Sequence, residues 1–135
     1  MKAKKIKRVP PAKNTSRAMY DRPKMPPISE EMKQWSAMLK TEVGGWPQIS
    51  TKPMFGMMGL YRGKKIFGGL PLTRGFDTPN SVIFRFDPIP PDLEGRASKD
   101  KRIAPGKRWF SFHVASTADL RDALWWLNQA YDKTK

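Results

Sequence analysis

The sequence contains no cysteine and only one histidine, His113. Without cysteine the chain has no disulfide framework, no thiolate nucleophile and no cysteine-based zinc site, and a lone histidine argues against a histidine-based metal centre. No apolar run approaches the roughly 18 residues that a membrane-spanning helix needs, and no apolar core follows the basic N-terminus as in a secretory signal. We therefore expect a cytoplasmic protein with no membrane span, no metal and no cofactor.

Acidic residues are scarce, with 12 Asp and Glu against 26 Lys and Arg, which gives a net charge of +14. Residues 1–26 hold nine of the basic residues and one acidic residue, so this segment carries about +8 of the total. A balance of this kind favours polyanionic partners: nucleic acid, an acidic membrane surface or acidic proteins.

The length of 135 residues fits one domain rather than two. Residues 1–27 are basic and proline-rich without apolar periodicity, so we expect a disordered arm followed by a single domain over 28–135. The arm has two interpretations. It is either a clamp on nucleic-acid phosphates, through Lys4, Lys5, Lys7 and Arg8, or a solvated tail that only aids solubility.

Helical signals lie near both ends of the domain. Ser29 before Glu30 and Glu31 predicts the start of a first helix. Gly44 and Gly45 predict its end. Its apolar stripe consists of Met32, Trp35, Met38, Leu39 and Val43. A capping-box-like start over 116–119 predicts a last helix, with a stripe formed by Leu120, Ala123, Leu124, Leu127, Ala130 and Tyr131. Trp125 and Trp126 flank that stripe, so we expect at least one of them to be partly exposed.

Strand signals fill the middle of the chain. Apolar runs at 57–61 and 66–69 flank the polar tetrad 62–65, which predicts a hairpin with Gly63 in its turn. Residues 49–55 predict a leading strand, and the alternation over 81–87 and 109–114 predicts two half-buried strands. Residues 88–107, with four prolines, predict a long basic loop. The fold class is α+β: an antiparallel meander of about four to five strands, with both helices on one face and the other face free.

Catalytic signals are weak. His113 and Ser111 share a strand face, but no third group orients them, and the carboxylates show no paired spacing. Gly56 and Gly59 lack both the Gly-Lys-Ser/Thr ending of a nucleotide-binding loop and the dinucleotide pattern, so we interpret them as turn and bulge residues. We expect no enzyme.

Basic side chains on turns and loops are the remaining candidates for function. Basic hairpin tips and loops can reach phosphates and give charge-driven contacts that do not select a sequence. The candidate nucleic-acid contacts in the domain are Arg62, Lys64, Lys65, Arg85, Lys99, Lys101, Arg102, Lys107 and Arg108. Solvated lysines on ordinary loops are the competing interpretation.

The segment Met54-Phe55-Gly56-x-x-Gly59-Leu60-Tyr61-Arg62-x-Lys64-x-x-Phe67 resembles the N-terminal domain of the TfoX family of competence regulators, over about Glu31–Arg85. The closing strand at 109–112 and the last helix suit the wider YjbR-like superfamily. The resemblance implies an α+β domain without catalytic residues, and the superfamily has been proposed to bind DNA through winged loops. This chain departs from the pattern at Met57-Met58, where a second glycine is usual, and lacks the C-terminal helical domain of full-length competence regulators.

The sequence thus predicts a regulatory protein that binds nucleic acid, with DNA as the expected target and little sequence specificity, or that binds an acidic protein. An adaptor that uses the free sheet face or Trp125 and Trp126 is the second hypothesis. A small-molecule enzyme with a pocket beside the methionine-rich hairpin is the third. The oligomeric state does not follow from the sequence.

Overall fold

The α+β class is confirmed. The computed structural model describes residues 27–75 and 79–134, and within them three helices accompany one six-stranded antiparallel sheet. The helices are α1 (Glu30–Gly44), α2 (Pro91–Ser98) and α3 (Asp119–Lys133); the strands are β1 (Ile49–Met54), β2 (Met57–Arg62), β3 (Lys65–Pro71), β4 (Ser81–Arg85), β5 (Ile103–Ala104) and β6 (Trp109–His113). The predicted arm over 1–27 lies outside the described residues, except for Pro27.

The strands are arranged in the order β1-β2-β3-β4-β6-β5. The first four form a meander because each connection returns the chain to the adjacent position. The β2–β3 turn is the predicted hairpin, in which Gly63 has φ +62° and donates its N–H to the Gln48 carbonyl at 2.8 Å. That left-handed conformation costs glycine little.

Helix α1 begins where its sequence predicts. The Ser29 hydroxyl accepts the Met32 N–H at 3.0 Å, and the Ser29 N–H donates to the Asn80 side-chain oxygen at 3.0 Å. The cap therefore also fixes the helix to the start of β4. The predicted stripe needs one correction: Met38 is 55% exposed, because it lies beyond the edge of the helix face that contacts the sheet.

The core lies between the helices and one face of the sheet. Phe84 of β4 stacks on Trp126 of α3 with ring centroids 5.2 Å apart, and on Phe110 of β6 at 5.6 Å. A Cβ on Gly68 would lie 2.7 Å from the Leu127 Cδ2 atom, so glycine permits α3 to approach β3 closely. Trp126 is buried and Trp125 is half-buried, as the flanking positions predicted.

The segment 88–107 is not the long loop that its prolines predicted. Helix α2 and strand β5 form within it, and Leu93 and Ala97 of α2 are buried in the core. Pro91 is the first residue of α2, where proline is tolerated because the missing N–H would have no intrahelical partner. The strand count is six rather than four to five because β5 adds an edge next to β6.

The alternation in β4 predicted a half-buried strand, but the structure buries side chains on both of its faces. Phe84 and Val82 face the helices, while Ser81 and Ile83, on the opposite face of the sheet, are 0% and 2% exposed. The sheet therefore has a second face that is closed at its centre, contrary to the expectation that it stays free.

Helix α3 begins at Asp119, later than the capping-box pattern predicted, and its N-cap position is Ala118. The Asp119 carboxylate accepts the N–H groups of Ala115 and Ser116 at 2.8 and 3.3 Å. Within the described parts of the chain, no helix is long and apolar enough to cross a bilayer.

Candidate nucleic-acid interface

The β2–β3 turn presents lysines beyond the end of the sheet. Lys64 and Lys65 are exposed. The preceding Arg62 is held against α3, because its guanidinium donates to the Tyr131 carbonyl at 2.9 Å and lies 4.4 Å above the Tyr131 ring. The Tyr131 carbonyl, which also accepts the Thr134 N–H at 3.1 Å, lies in the last turn of α3, where a cation suits the helix dipole. The turn is thus anchored on one side and open to solvent at its tip.

A second basic group lies where β4 ends and β6 begins. Asp87 accepts from Arg85 and from Arg108, with both N···O distances 3.3 Å. The Arg108 side chain is 61% exposed, and Lys107 beside it is also exposed. One carboxylate shared between two guanidiniums leaves this group with a positive charge. It also holds both arginines toward the same end of the sheet.

The strand register brings these two groups together. Arg85 is paired with Trp109, Gly68 with Phe84 and Arg62 with Lys65, so the end of β4, the start of β6 and the β2–β3 turn lie at one end of the sheet. Neighbouring strands are about 4.8 Å apart, so the groups are separated by only a few strand spacings. We call this surface the basic edge; it consists of Arg62, Lys64, Lys65, Arg85, Lys107 and Arg108.

Three other predicted contacts lie at the opposite end of the sheet. The Arg102 carbonyl accepts the N–H of His113, the last residue of β6, so Lys99, Lys101 and Arg102 are grouped there. Proximity in the sequence suggested one continuous basic loop from 96 to 108. The structure divides that loop, because α2 and β5 carry the chain along the length of the sheet.

Arg102 is bound by carboxylates of its own chain. Its guanidinium forms a bidentate pair with Asp100 at 2.8 and 2.9 Å, and contacts Asp119 at 2.9 Å and Asp122 at 3.0 Å. The hydrogen bonds that Arg102 donates to Asp100, and next to Asp119 and Asp122, raise the pKa of Arg102 well above its ordinary value. Sequence reasoning missed this role because two of the partners are 17 and 20 residues further along the chain.

The same contacts lower the pKa values of two of the carboxyls. The pKa of Asp100 is lowered, mainly because the Arg102 side chain donates a hydrogen bond to it. Burial opposes ionisation of Asp119, but the Ala115 N–H, Arg102 and the Ser116 N–H together lower its pKa as well. We call these four residues, Asp100, Arg102, Asp119 and Asp122, the Arg102 cluster. It fastens the start of α3 to the turn that follows α2.

Gly56 has a structural role in the turn between β1 and β2. Gly56 has φ +80°, and its carbonyl accepts the N–H groups of Leu72, Thr73 and Arg74 at 2.9–3.2 Å. This accords with the interpretation of these residues as turn residues rather than a phosphate loop.

Two further features of the described residues bear on catalysis and ligand binding. His113 is exposed, whereas Ser111 is buried, and the described residues include no group of three or more His, Asp or Glu that could hold a metal. An open groove of about 590 Å³ lies between α2 and α3, where the Arg96 guanidinium stacks 4.1 Å above the ring of Trp125.

The predicted contacts Lys4, Lys5, Lys7 and Arg8 lie outside the described residues. Comparison with protein-family models, with curated proteins and with solved structures finds no match to this chain. The TfoX-like motif therefore stays an interpretation of the sequence.

Proposed function

We propose that this protein is a non-enzymatic regulatory protein that binds DNA with little sequence specificity, and that the basic edge contacts the phosphates. One observation carries the proposal: the strand register collects basic residues from the β2–β3 turn, the end of β4 and the start of β6 at one end of the sheet. Such a group can follow a phosphate backbone, and phosphate contacts carry no sequence information. The resemblance to the TfoX N-terminal domain points in the same direction.

The proposal leaves Arg102 out of the interface. Its donors are engaged by three carboxylates, and withdrawing it would leave Asp100 and Asp119 without their partner. Lys99 and Lys101 contribute to the general positive potential but belong to the other end of the sheet. We expect the arm residues Lys4, Lys5, Lys7 and Arg8 to strengthen binding without selecting a sequence.

Replacement of Lys64 and Lys65 by Ala in the full chain tests the proposal. Each lost phosphate contact lowers the slope of log K against log salt by about 0.9 on duplex DNA, so the double variant loses up to about 1.8. Binding of a labelled mixed-sequence duplex and of a single strand, followed by fluorescence anisotropy across a salt series, measures this slope. Circular dichroism checks that the fold is retained.

The matched control is Lys33→Ala/Lys40→Ala, which removes the same charge from exposed positions on α1. We expect this variant to bind almost as the wild type does. If both variants weaken binding equally, the attraction comes from net charge alone and the basic edge is not the interface. If neither binds less tightly, the proposal is wrong.

The groove beside Trp125 favours a second candidate, a protein adaptor. Trp125 is half-buried at the groove, and its ring meets Trp126 at nearly a right angle with centroids 4.9 Å apart. A rigid, half-buried aromatic ring in a groove suits an apolar side chain of a peptide partner. Association that persists at high salt and is lost in Trp125→Ala would favour this function over DNA binding.

A further inference from the structure

The groove between α2 and α3, which we call the α2–α3 groove, contains an arginine whose position is fixed by a series of aromatic rings. The Arg96 guanidinium lies 4.1 Å above the ring of Trp125, and Trp125 meets Trp126 with centroids 4.9 Å apart. Trp126 is 2% exposed and stacks on Phe84 at 5.2 Å. These contacts run from the core to the surface. Stacking on the ring therefore restricts the Arg96 side chain although Arg96 is exposed.

The acids that are close to Arg96 in the sequence do not neutralise it. Asp92 precedes Arg96 by four residues in α2, a spacing at which an aspartate and an arginine can pair on a helix. Within the described residues, however, the side chains of Asp92 and Glu94 form no ion pair. Asp100 is bound by Arg102 at 2.8 Å. The N–H donors of Arg96 therefore have no hydrogen-bond partner among the residues that the structure describes.

A guanidinium that lies flat on a ring still presents hydrogen-bond donors at its edge. Stacking uses a face of the planar group, whereas its five N–H donors lie in the plane. Because Arg96 already covers one face of the Trp125 ring, a nucleic-acid base cannot stack there. A carboxylate can instead accept two N–H groups from the edge of the guanidinium, in the bidentate geometry that arginine favours.

The α2–α3 groove combines positive charge with an apolar wall. Its two cations are Arg96 and Lys99, which follows three residues later and is exposed, and they stand against a single acid, Asp92. The apolar wall consists of Pro91, Leu93 and Trp125. The volume of about 590 Å³ lies in the usual range of ligand sites, roughly 300–1,000 Å³, so a short segment of peptide fits.

We propose that the α2–α3 groove binds an acidic segment of a partner protein. A carboxylate of that segment is bound by Arg96 with Lys99 beside it, and a neighbouring apolar side chain packs against Trp125 and Pro91. The positive charge of the groove favours an acidic segment over a basic one, and the apolar wall favours a peptide over a phosphate backbone. This inference rests on the adaptor function, for which it names the ligand chemistry, and is independent of DNA binding by the basic edge.

Two peptides that differ in one charge test the proposal on the full chain labelled with nitrogen-15. They are acetyl-Leu-Glu-Leu-amide and acetyl-Leu-Gln-Leu-amide, which have nearly the same shape. Binding is followed by NMR, from the shifts of the Trp125 indole N–H and the Arg96 Nε–H signals. We expect both peptides to shift the Trp125 signal. The glutamate peptide should bind about 3- to 10-fold more tightly, because only its carboxylate forms a charge-assisted hydrogen bond with Arg96.

Arg96→Gln should abolish this preference, so that the two peptides bind the variant about equally. The substitution changes an exposed side chain, and the spectrum of the protein shows directly whether the fold is retained. The matched control is Lys40→Gln, which removes the same charge from an exposed position on α1 and should leave the preference unchanged. Arg96→Lys keeps the charge without the planar fork, so it should retain only part of the preference.

The outcomes separate this inference from the adaptor function. If both peptides bind at the groove of the wild type with equal affinity, the carboxylate site is wrong while the adaptor function stands. If Lys40→Gln loses the preference as Arg96→Gln does, the attraction comes from net charge and the proposal is wrong. If neither peptide shifts the Trp125 signal, the inference and the adaptor function at this groove both fail. If a mixed-sequence duplex alone shifts the Arg96 and Trp125 signals, the groove belongs to the nucleic-acid interface, which also overturns the proposal.

Discussion

Replacing Arg102 by Met should destabilise the fold measurably, because it removes the centre of the Arg102 cluster. Its side chain is 34% exposed, so each of its four hydrogen bonds to carboxylates is discounted to about 0.5–1 kcal/mol for solvent screening. The loss is then about 2–4 kcal/mol of the free energy of unfolding. Part of it reflects Asp100 and Asp119, which stay partly buried without a cation.

Urea unfolding followed by tryptophan fluorescence measures this loss. With a slope of about 2 kcal/mol per molar urea, the midpoint should fall by about 1–2 M at pH 7. The control Arg121→Met removes an exposed arginine of α3 that is not part of the Arg102 cluster, and it should shift the midpoint little. Arg102→Lys keeps the charge but not the bidentate geometry, so it should recover only part of the loss.

The stability difference between wild type and Arg102→Met should also depend on pH, and it should become smaller in acid. Asp100 and Asp119 have pKa values lowered below 3.8 in the folded protein, so their contribution is present above about pH 4 and is lost as the pH falls through the folded values. The difference between wild type and Arg102→Met should therefore narrow below about pH 4. A midpoint shift below about 0.3 M at pH 7, or a difference that does not narrow as the pH is lowered from about 4, would refute this reasoning.

Two further predictions concern the backbone. Gly68→Ala should lower the free energy of unfolding by about 1–3 kcal/mol, since the added Cβ would lie 2.7 Å from Leu127 and 3.1 Å from the Ile83 carbonyl. The matched control is Gly95→Ala in α2, where the added Cβ meets open space. This variant should be neutral or stabilise the fold by up to about 1 kcal/mol. Equal thermal unfolding midpoints for the two variants would contradict this. Ser29→Ala should cost about 1 kcal/mol by removing the acceptor for the Met32 N–H, whereas Ser29→Asp should retain most of the stability; urea midpoints that rank these two variants in the opposite order would count against the cap.

The sequence predicted the elements whose signals are local. The Ser29 cap, the hairpin around Gly63 and the last helical stripe each depend on residues within one turn or one short segment, and the structure confirms them. Helix α2 was missed because Pro88, Pro90 and Pro91 were interpreted as breakers, although Pro91 occupies the one helical position that accepts proline.

Long-range contacts account for the other features that the sequence did not predict. The burial of Ile83 on the second face could not be read from the alternation in β4, since alternation shows which residues share a face but not what covers it. The division of the basic residues between two ends of the sheet depends on β5, a strand of two residues with no pattern of its own. The basic edge was predictable as a set of candidate residues, and only the register showed which of them lie together.

The stacking of Phe84 on Trp126 also has a consequence for synthesis in the cell. Phe84 and Phe110 belong to strands that precede α3 in the chain, while the ring that covers Phe84 comes from α3 itself. A nascent chain whose α3 is still inside the ribosomal exit tunnel therefore exposes the aromatic surface that α3 covers in the folded protein. The strands can pair during elongation, but the sheet face that packs on α3 is buried only after α3 has emerged.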